Sequence, residues 1–481
     1  MTDSPSITHM PQLLDFLEER CAHLEMVRFL ESGQAVSITG QDFFREVRRC
    51  AAFLDSIGLS GKHVGIMGAN RIQWLIHFCA LFKIGAVAVL LSPNADQEEL
   101  AAKAKLADVE YLLYDETLKD TIPAGLPCRS VDESFPDTEA SHPGLNPDPE
   151  DLACILFTSG TTAAGKAVML SHRAMCAGSC HNVVTFPFDA QLAILPMHHV
   201  AGFATVLNTW YLGRTVCLGQ DVKYLYRYLA QLKPDYVLTV PSILQAILRR
   251  LKNGGANGEK MGWNLRMIGC GGAKFPPGVL EILNARNIRV LQSYGATELG
   301  GLGFDWEMTA DCADTIGRPC PEIETKICDS ELFLRCASLM TGYYKDPVGT
   351  AAVLRNGWYA TGDLCRQDEQ GFLHLTGRKN NLIIRSNGEN VSPEEIEGRL
   401  SVCEVIQEIL VGLEDDLITA TVYPADETDE TKTKIREAIA VYNRSAPLYR
   451  QVENLHFSNT PFAKTSTGKL IRWSATGGNT K

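Results

Sequence analysis

The segment FTSGTTAAGKAVMLSH, 157–172, concentrates groups that suit phosphate oxygens. Thr158, Ser159, Thr161 and Thr162 offer hydroxyls, Gly160 and Gly165 allow close backbone approach, and Lys166 supplies positive charge. Residues 160–166 read G-x-x-x-x-G-K, one position short of a nucleotide-triphosphatase P-loop. The next residue of a P-loop carries a hydroxyl for magnesium, but here it is Ala167. A P-loop lysine also opens a helix, whereas KAVML is strand-like. Two readings stand at this point: a P-loop without its magnesium ligand, or another phosphate loop whose ligand comes from elsewhere in the chain.

Two further clusters carry reactive side chains. PMHHVAGF, 196–203, holds His198 and His199. Adjacent residues of an extended chain point opposite ways, so only one of the two is expected to line a pocket. Cys176, Cys180 and His181 lie close together but lack a second ligand pair, so free thiols are expected rather than a metal centre. The 15 cysteines include no C-x-x-C pair and suit a reducing, cytoplasmic setting.

The elements that must position these groups alternate. HVGIM, AVAVLL, VEYLLY and ACILF read as strands, and RIQWLIHFCALFK and QEELAAKAKLA as helices between them. Beyond residue 171 the pattern resumes through DYVLTV, PSILQAILRRL, LRMIGC, PPGVLEILNAR and IRVLQSYG. Such alternation predicts parallel α/β sheets. Residues 305–377 are short and strand-like, which predicts a small β subdomain, barrel-like in form. In SPEEIEGRL, Ser392, Pro393 and Glu395 predict a helix opened by a capping box. With 481 residues and a net charge of −12, a multidomain enzyme is expected and a nucleic-acid surface is not. The N-terminus shows no secretory signal, and the longest apolar run, 74–93, reads as helix then strand, so no membrane span is expected.

Read together with SYGATELG (293–300), GWYATGDL (357–364), GRKNNLIIRSNGENVSPEEIE (377–397) and KTSTGKLIR (464–472), the loop and the histidine segment resemble the acyl-adenylate-forming superfamily. That group includes acyl- and aryl-CoA ligases, luciferases and peptide-synthetase adenylation domains. The motifs occur in family order over nearly the whole chain. The resemblance implies a large N-terminal domain, 1–377, and a mobile α+β C-terminal domain, 378–481, turning on a hinge near Asn380.

It also implies ATP and Mg2+, a carboxylic acid, and CoA or a carrier protein's phosphopantetheine. A carboxylate would attack the α-phosphorus of ATP, and a thiol would then displace AMP. Glu298 would hold magnesium, and Thr297 would contact the α-phosphate. Ser293, Tyr294 and Gly295 would bind the nucleotide, with the Tyr294 ring stacked on adenine. The backbone of GCGGA, which contains Gly271, Gly272 and Ala273, would line the base. Asp363 and Arg378 would bind the ribose, Lys469 would bridge carboxylate and α-phosphate, His199 would sit by the acid, and Gly388 would leave room for pantetheine.

The loop departs from the family where Ala163 and Ala167 replace common glycines and Gly165 a common proline. KICDSELFLR is short, so a trimmed hairpin is expected. No acid near AGF could hold an α-amino group, which argues against amino acids. No cation in the pocket segments would pair with a second carboxylate, Lys274 at their border excepted. Glycines 300, 301 and 303 predict an open channel, so the expected acid is fatty or aliphatic and the product an acyl-CoA. A carrier-loading or aryl-acid enzyme, a non-catalytic nucleotide binder, a luciferase-like oxygenase and a P-loop NTPase are the alternatives.

Overall fold

The computed structural model describes residues 7–136, 145–158, 165–180, 187–254, 262–271, 279–301, 303–309, 312, 314–385, 389–464 and 470–472. Two large sheets dominate it. The first has seven strands. Cys128–Ser130, Tyr111–Tyr114, His63–Met67, Val87–Leu91 and Leu152–Thr158 are parallel neighbours in that order. Every residue of Val87–Leu91 is buried, as expected for a strand covered on both faces. Lys166–Ser171 and Gly342–Tyr343 then extend the sheet antiparallel.

The second sheet has eight strands. Its parallel centre runs Arg289–Tyr294, Met267–Gly271, Tyr236–Thr239, Ala190–Ala193, Thr215–Leu218 and Glu25–Glu31. Antiparallel strands Phe304–Glu307 and Gln34–Thr39 close its two edges. From Ala190–Ala193 the chain crosses to Thr215–Leu218 on one side and later to Tyr236–Thr239 on the other. The carboxyl end of that strand is therefore a topological switch point, where α/β sheets bind ligands.

One apolar core joins the two sheets. Trp74 and Phe78 of helix Ile72–Lys83 stack at 4.9 Å, and Phe78 meets Phe203 of helix Val200–Tyr211 at 5.6 Å. Backbone packs on backbone at a second junction. A methyl group on Gly178, in helix His172–Ser179, would lie 2.0 Å from the carbonyl oxygen of Gly300. Ser171 caps this helix, its hydroxyl accepting from the Ala174 amide.

The smaller units follow. Glu324–Cys328, Glu331–Arg335, Leu354–Arg355, Trp358–Gln367 and Leu373–Arg378 form an antiparallel sheet. The short KICDSELFLR segment is a complete hairpin. Asp329 and Ser330 have φ of 50° and 62°, so a two-residue turn joins its strands without a longer loop. Beyond residue 382, Ile383, Val391, Ile396, Ile409, Ile418, Val422 and Ile435 build a separate core.

The capping box at residue 392 does not form. Ser392 donates instead to Glu394, and Glu395 is drawn to the Arg450 guanidinium at 2.9 and 3.0 Å. The Arg450 guanidinium outcompetes the backbone amide for the Glu395 carboxylate.

Gly178→Ala should lower stability by at least about 2 kcal/mol, because the methyl meets backbone that cannot rotate aside. Gly412→Ala, where nothing lies within 4 Å, serves as the control. Urea unfolding followed by fluorescence would refute the close-packing account if both variants unfold at the wild-type midpoint.

Candidate active site

Thr158 and Lys166 are register partners of two antiparallel strands, so Lys166 begins a strand rather than a helix. This disposes of the P-loop reading. Ala167 is 2% exposed and packs among Phe157, Leu91 and Leu100 beneath the hairpin, so a hydroxyl at 167 would face the core. Gly165 has φ +69°, a conformation closed to proline. Ser159, Gly160, Thr161 and Thr162 lie outside the described residues.

Lys166 lies with its ammonium 4.4 Å from the centre of the Tyr343 ring. The Tyr343 hydroxyl donates to Oε1 of Glu298 at 3.0 Å. Glu298 belongs to the turn Thr297–Leu299, which closes when Gly300, at φ +63°, donates to the Thr297 carbonyl. The segment after Cys336 clamps that turn: Ser338 donates to the Leu299 carbonyl and the Met340 amide to the Glu298 carbonyl. Burial, then the Glu298 charge, raises the Tyr343 pKa, so the phenol stays a donor. Glu298 forms no ion pair among the described residues. A carboxylate placed in this way suits a hard cation completed by phosphate oxygens and water. No cluster of three or more metal-ligating side chains occurs among the described residues.

A second cluster surrounds Asp363. On strand Trp358–Gln367, Tyr359, Thr361 and Asp363 alternate onto the buried face. Tyr294 donates to Oδ2 of Asp363 at 2.6 Å, and Arg378 Nε contacts Oδ1 at 2.6 Å. The Tyr294 ring is 9% exposed and stacks on Phe304 at 5.5 Å. Burial, then the Asp363 charge, holds the Tyr294 proton tightly. Tyr359 lies between the clusters, its pKa raised by burial and then by Glu298, with Tyr343 and Asp363 adding to the effect. Tyr359 thus feels both carboxylates, with Lys166 joined to Glu298 through Tyr343 and Arg378 paired with Asp363. Gly271, Ser293 and Tyr294 are at or near the carboxyl ends of neighbouring parallel strands, with Gly295 next in the chain. Gly272 and Ala273 lie outside the described residues.

The histidines correct one expectation. His198 and His199 do not diverge: their ring centres are 4.2 Å apart. The alternation rule fails because 197–198 form a turn, closed by the His199 amide on the Pro196 carbonyl, and His199 opens helix Val200–Tyr211. Burial holds both imidazoles neutral, lowering His198 to about 3 and His199 to about 4.

The open channel is also corrected. A methyl on Gly300 would strike the Ser338 carbonyl oxygen at 2.3 Å, on Gly301 the Ala204 side chain at 2.5 Å, and on Gly303 the Tyr294 carbonyl oxygen at 2.3 Å. These glycines permit close packing and leave no passage of their own.

The hinge candidate Asn380 has an ordinary negative φ, so the tolerance of Asn for unusual angles is not used here. Its neighbours are tied down: Lys379 pairs with buried Glu331 at 2.7 Å and Asn381 donates to Glu394 at 2.5 Å. Gly388, Lys274 and Lys469 lie outside the described residues. Near Lys469, Lys464 bridges to Leu470 and Arg472 pairs with Glu394 and Glu397, whose pKa burial raises to about 7. Sequence reading missed Tyr343 and Tyr359. Tyr343 in TGYYKDP carries no ligand-type signal, and only the fold brings it to Glu298.

Lys166 at the start of its strand, a carboxylate suited to a cation and a second, firmly oriented carboxylate are the charged groups this structure brings together. The profile of the AMP-binding enzymes matches residues 17–344, and that of the AMP-binding enzyme C-terminal domain matches residues 380–477. The chain belongs to the AMP-binding enzyme family. It is 28% identical over 388 residues to a 2-succinylbenzoate–CoA ligase of Bacillus licheniformis, covering 76% of this chain and 79% of that protein. It is 25% identical over 460 residues to a long-chain-fatty-acid–CoA ligase of Mycobacterium bovis, covering 80% and 76%. The O-succinylbenzoate CoA synthetase of Bacillus subtilis, solved with AMP, has the same fold at a TM-score of 0.83 and 21% identity, over 97% of this chain and 98% of that one. A Mycobacterium tuberculosis fatty acyl CoA synthetase aligns at 0.73 and 21% identity, over 97% of each chain. No helix among the described residues is long and apolar enough to cross a membrane.

The histidine geometry sets a pH test. Folded pKa values below the unfolded value of about 6.5 mean that the stability tied to these groups is complete above about pH 6.5 and falls as pH drops toward their folded values. Histidine-selective NMR should therefore show no titration of His198 or His199 between about pH 5.5 and 8. A midpoint near 6.5 for either ring would contradict the burial argument.

Proposed function

We propose that the protein is an AMP-forming acid–CoA ligase. The observation that carries this reading is the joining of Lys166 and Glu298 through Tyr343, beside an Asp363 held by Tyr294 and Arg378. In the first half-reaction a carboxylate oxygen bonds to the α-phosphorus of ATP and pyrophosphate leaves. In the second, the CoA thiol loses its proton, bonds to the acyl carbon, and AMP leaves with that oxygen.

Both reactants of the first step are anions, so the site has to supply charge and orientation rather than a base. Lys166 faces the triphosphate, Thr297 the α-phosphate, and Glu298 holds magnesium, which neutralises phosphate charge when bound. Asp363 accepts from the ribose, with Arg378 beside it. The neutral His199 borders the acid, where a buried imidazolium would cost far more than a neutral ring. Lys469 belongs to the first half-reaction. Rotation of the C-terminal domain, 378–481, about Asn380 then brings the Gly388 segment in for the second.

The acid is a compact, largely apolar carboxylate, aryl or short-chain, rather than a long fatty acid. The filled space around glycines 300, 301 and 303 supports this, and so does the run of relatives named as 2-succinylbenzoate–CoA ligases. The acceptor is CoA, as in the names of those relatives.

Pyrophosphate release measured across aryl, short-chain, long-chain and amino acids, with CoA or with a pantetheinylated carrier, tests the assignment. Compact acids with CoA should give the highest kcat/KM. A long-chain acid as best substrate would overturn the size argument, and carrier-dependent turnover would overturn the acceptor. Glu298→Gln should reduce adenylation by about 100-fold or more, a loss of about 3 kcal/mol in transition-state binding. Wild-type pyrophosphate exchange in that variant would remove Glu298 from the site.

A further inference from the structure

Tyr343 touches both Lys166 of the phosphate hairpin and the carboxylate of Glu298. It is 4% exposed, and burial alone would ask only for an apolar ring. Its two ends do more. The hydroxyl reaches Glu298 Oε1, while the ring face carries the Lys166 ammonium. Tyr343 is the register partner of Val168, so Lys166, two residues along the same strand face, is its diagonal neighbour.

The backbone at this point is fixed from several sides. Gly342 and Tyr343 pair with Met169 and Val168. The Tyr343 amide donates to the Thr350 hydroxyl at 2.8 Å, and that hydroxyl donates to the Asp346 carbonyl. Upstream, Ser338 and Met340 are bonded to the turn that holds Glu298. The ring cannot shift without disturbing either the hairpin or the turn.

We infer that Tyr343 is a positioning residue, which aims the Glu298 carboxylate at the divalent cation and seats Lys166 over the phosphates. The inference rests on the proposed metal role of Glu298. Removing the hydroxyl frees the carboxylate to rotate but leaves the ring under Lys166. Removing the ring releases both. The two functions are therefore separable by substitution.

The test uses Mn2+ binding to the full-length protein with α,β-methylene-ATP, read from the EPR signal of free Mn2+, together with calorimetric binding of AMP without metal. Tyr343→Phe should weaken Mn2+ by about tenfold, the size of a hydrogen bond to a charged group, and leave AMP affinity unchanged. Tyr343→Leu should weaken Mn2+ similarly and also weaken the ATP analogue without metal, because Lys166 loses its seat. In a Glu298→Gln background, Tyr343→Phe should add little further loss.

Wild-type Mn2+ affinity in Tyr343→Phe, with Glu298→Gln impaired, overturns the role of Tyr343 alone. Wild-type Mn2+ affinity in Glu298→Gln overturns the metal assignment, and this inference with it. Equal loss of AMP and Mn2+ in Tyr343→Phe also overturns it, since a general collapse of the site predicts that pattern. Tyr343→Phe retains the buried ring, so it remains informative even if Tyr343→Leu fails to fold.

Discussion

The close approach of Gly178 to Gly300 is the constraint from which the site follows. Helix His172–Ser179 continues directly from the phosphate hairpin, and Gly300 ends the turn that holds Glu298. A side chain at Gly178 would press on the Gly300 carbonyl and drive the helix away from that turn, and one at Gly300 would strike the Ser338 carbonyl that clamps the turn. With backbone against backbone, the hairpin of one sheet lies beside the turn of the other, and Tyr343 spans the interval. The expensive feature of the fold is thus the absence of two methyl groups. Glycine carries a conformational cost, and here it permits the close approach of two elements that belong to different sheets.

The same junction determines what the chain can bind. Space that an apolar, glycine-rich sequence suggests is open has been used for packing. Lys166, Glu298 and Asp363 are placed by separate elements, so each can be exact only if the elements are mutually fixed. Tyr359, beside both carboxylate clusters, extends this fixing along the strand to Asp363. The hinge region is anchored differently, through the ion pair of Lys379 with Glu331 and the bond from Asn381 to Glu394. Because Glu331 is buried, a boundary proposed to move between half-reactions has to keep or replace the Lys379 partner as it turns.

Much of the architecture was legible in the sequence, because buried parallel strands such as Val87–Leu91 are continuous apolar runs and helices such as Ile72–Lys83 follow them at regular spacing. The phosphate hairpin was legible for a local reason: KAVML cannot open a helix as a P-loop lysine does. The motifs single out Asp363 and Arg378, but the bond from Tyr294 to Asp363 was not legible, since it joins strands 69 residues apart. His198 and His199 were misjudged because a turn replaces the extended chain. The glycines at 300, 301 and 303 were misjudged because a missing side chain in sequence can mean either open space or close contact. Tyr343 was missed because a tyrosine in a short edge strand has no chemical signature until its partner is known.

The central claim is that a carboxylate attacks the α-phosphorus of ATP directly. Turnover of the best acid labelled with 18O in both carboxylate oxygens, followed by mass spectrometry of the nucleotide and the inorganic product, tests this most directly. The account predicts one 18O atom in AMP and none in pyrophosphate. Label in inorganic phosphate with formation of ADP, or AMP free of label, would contradict it.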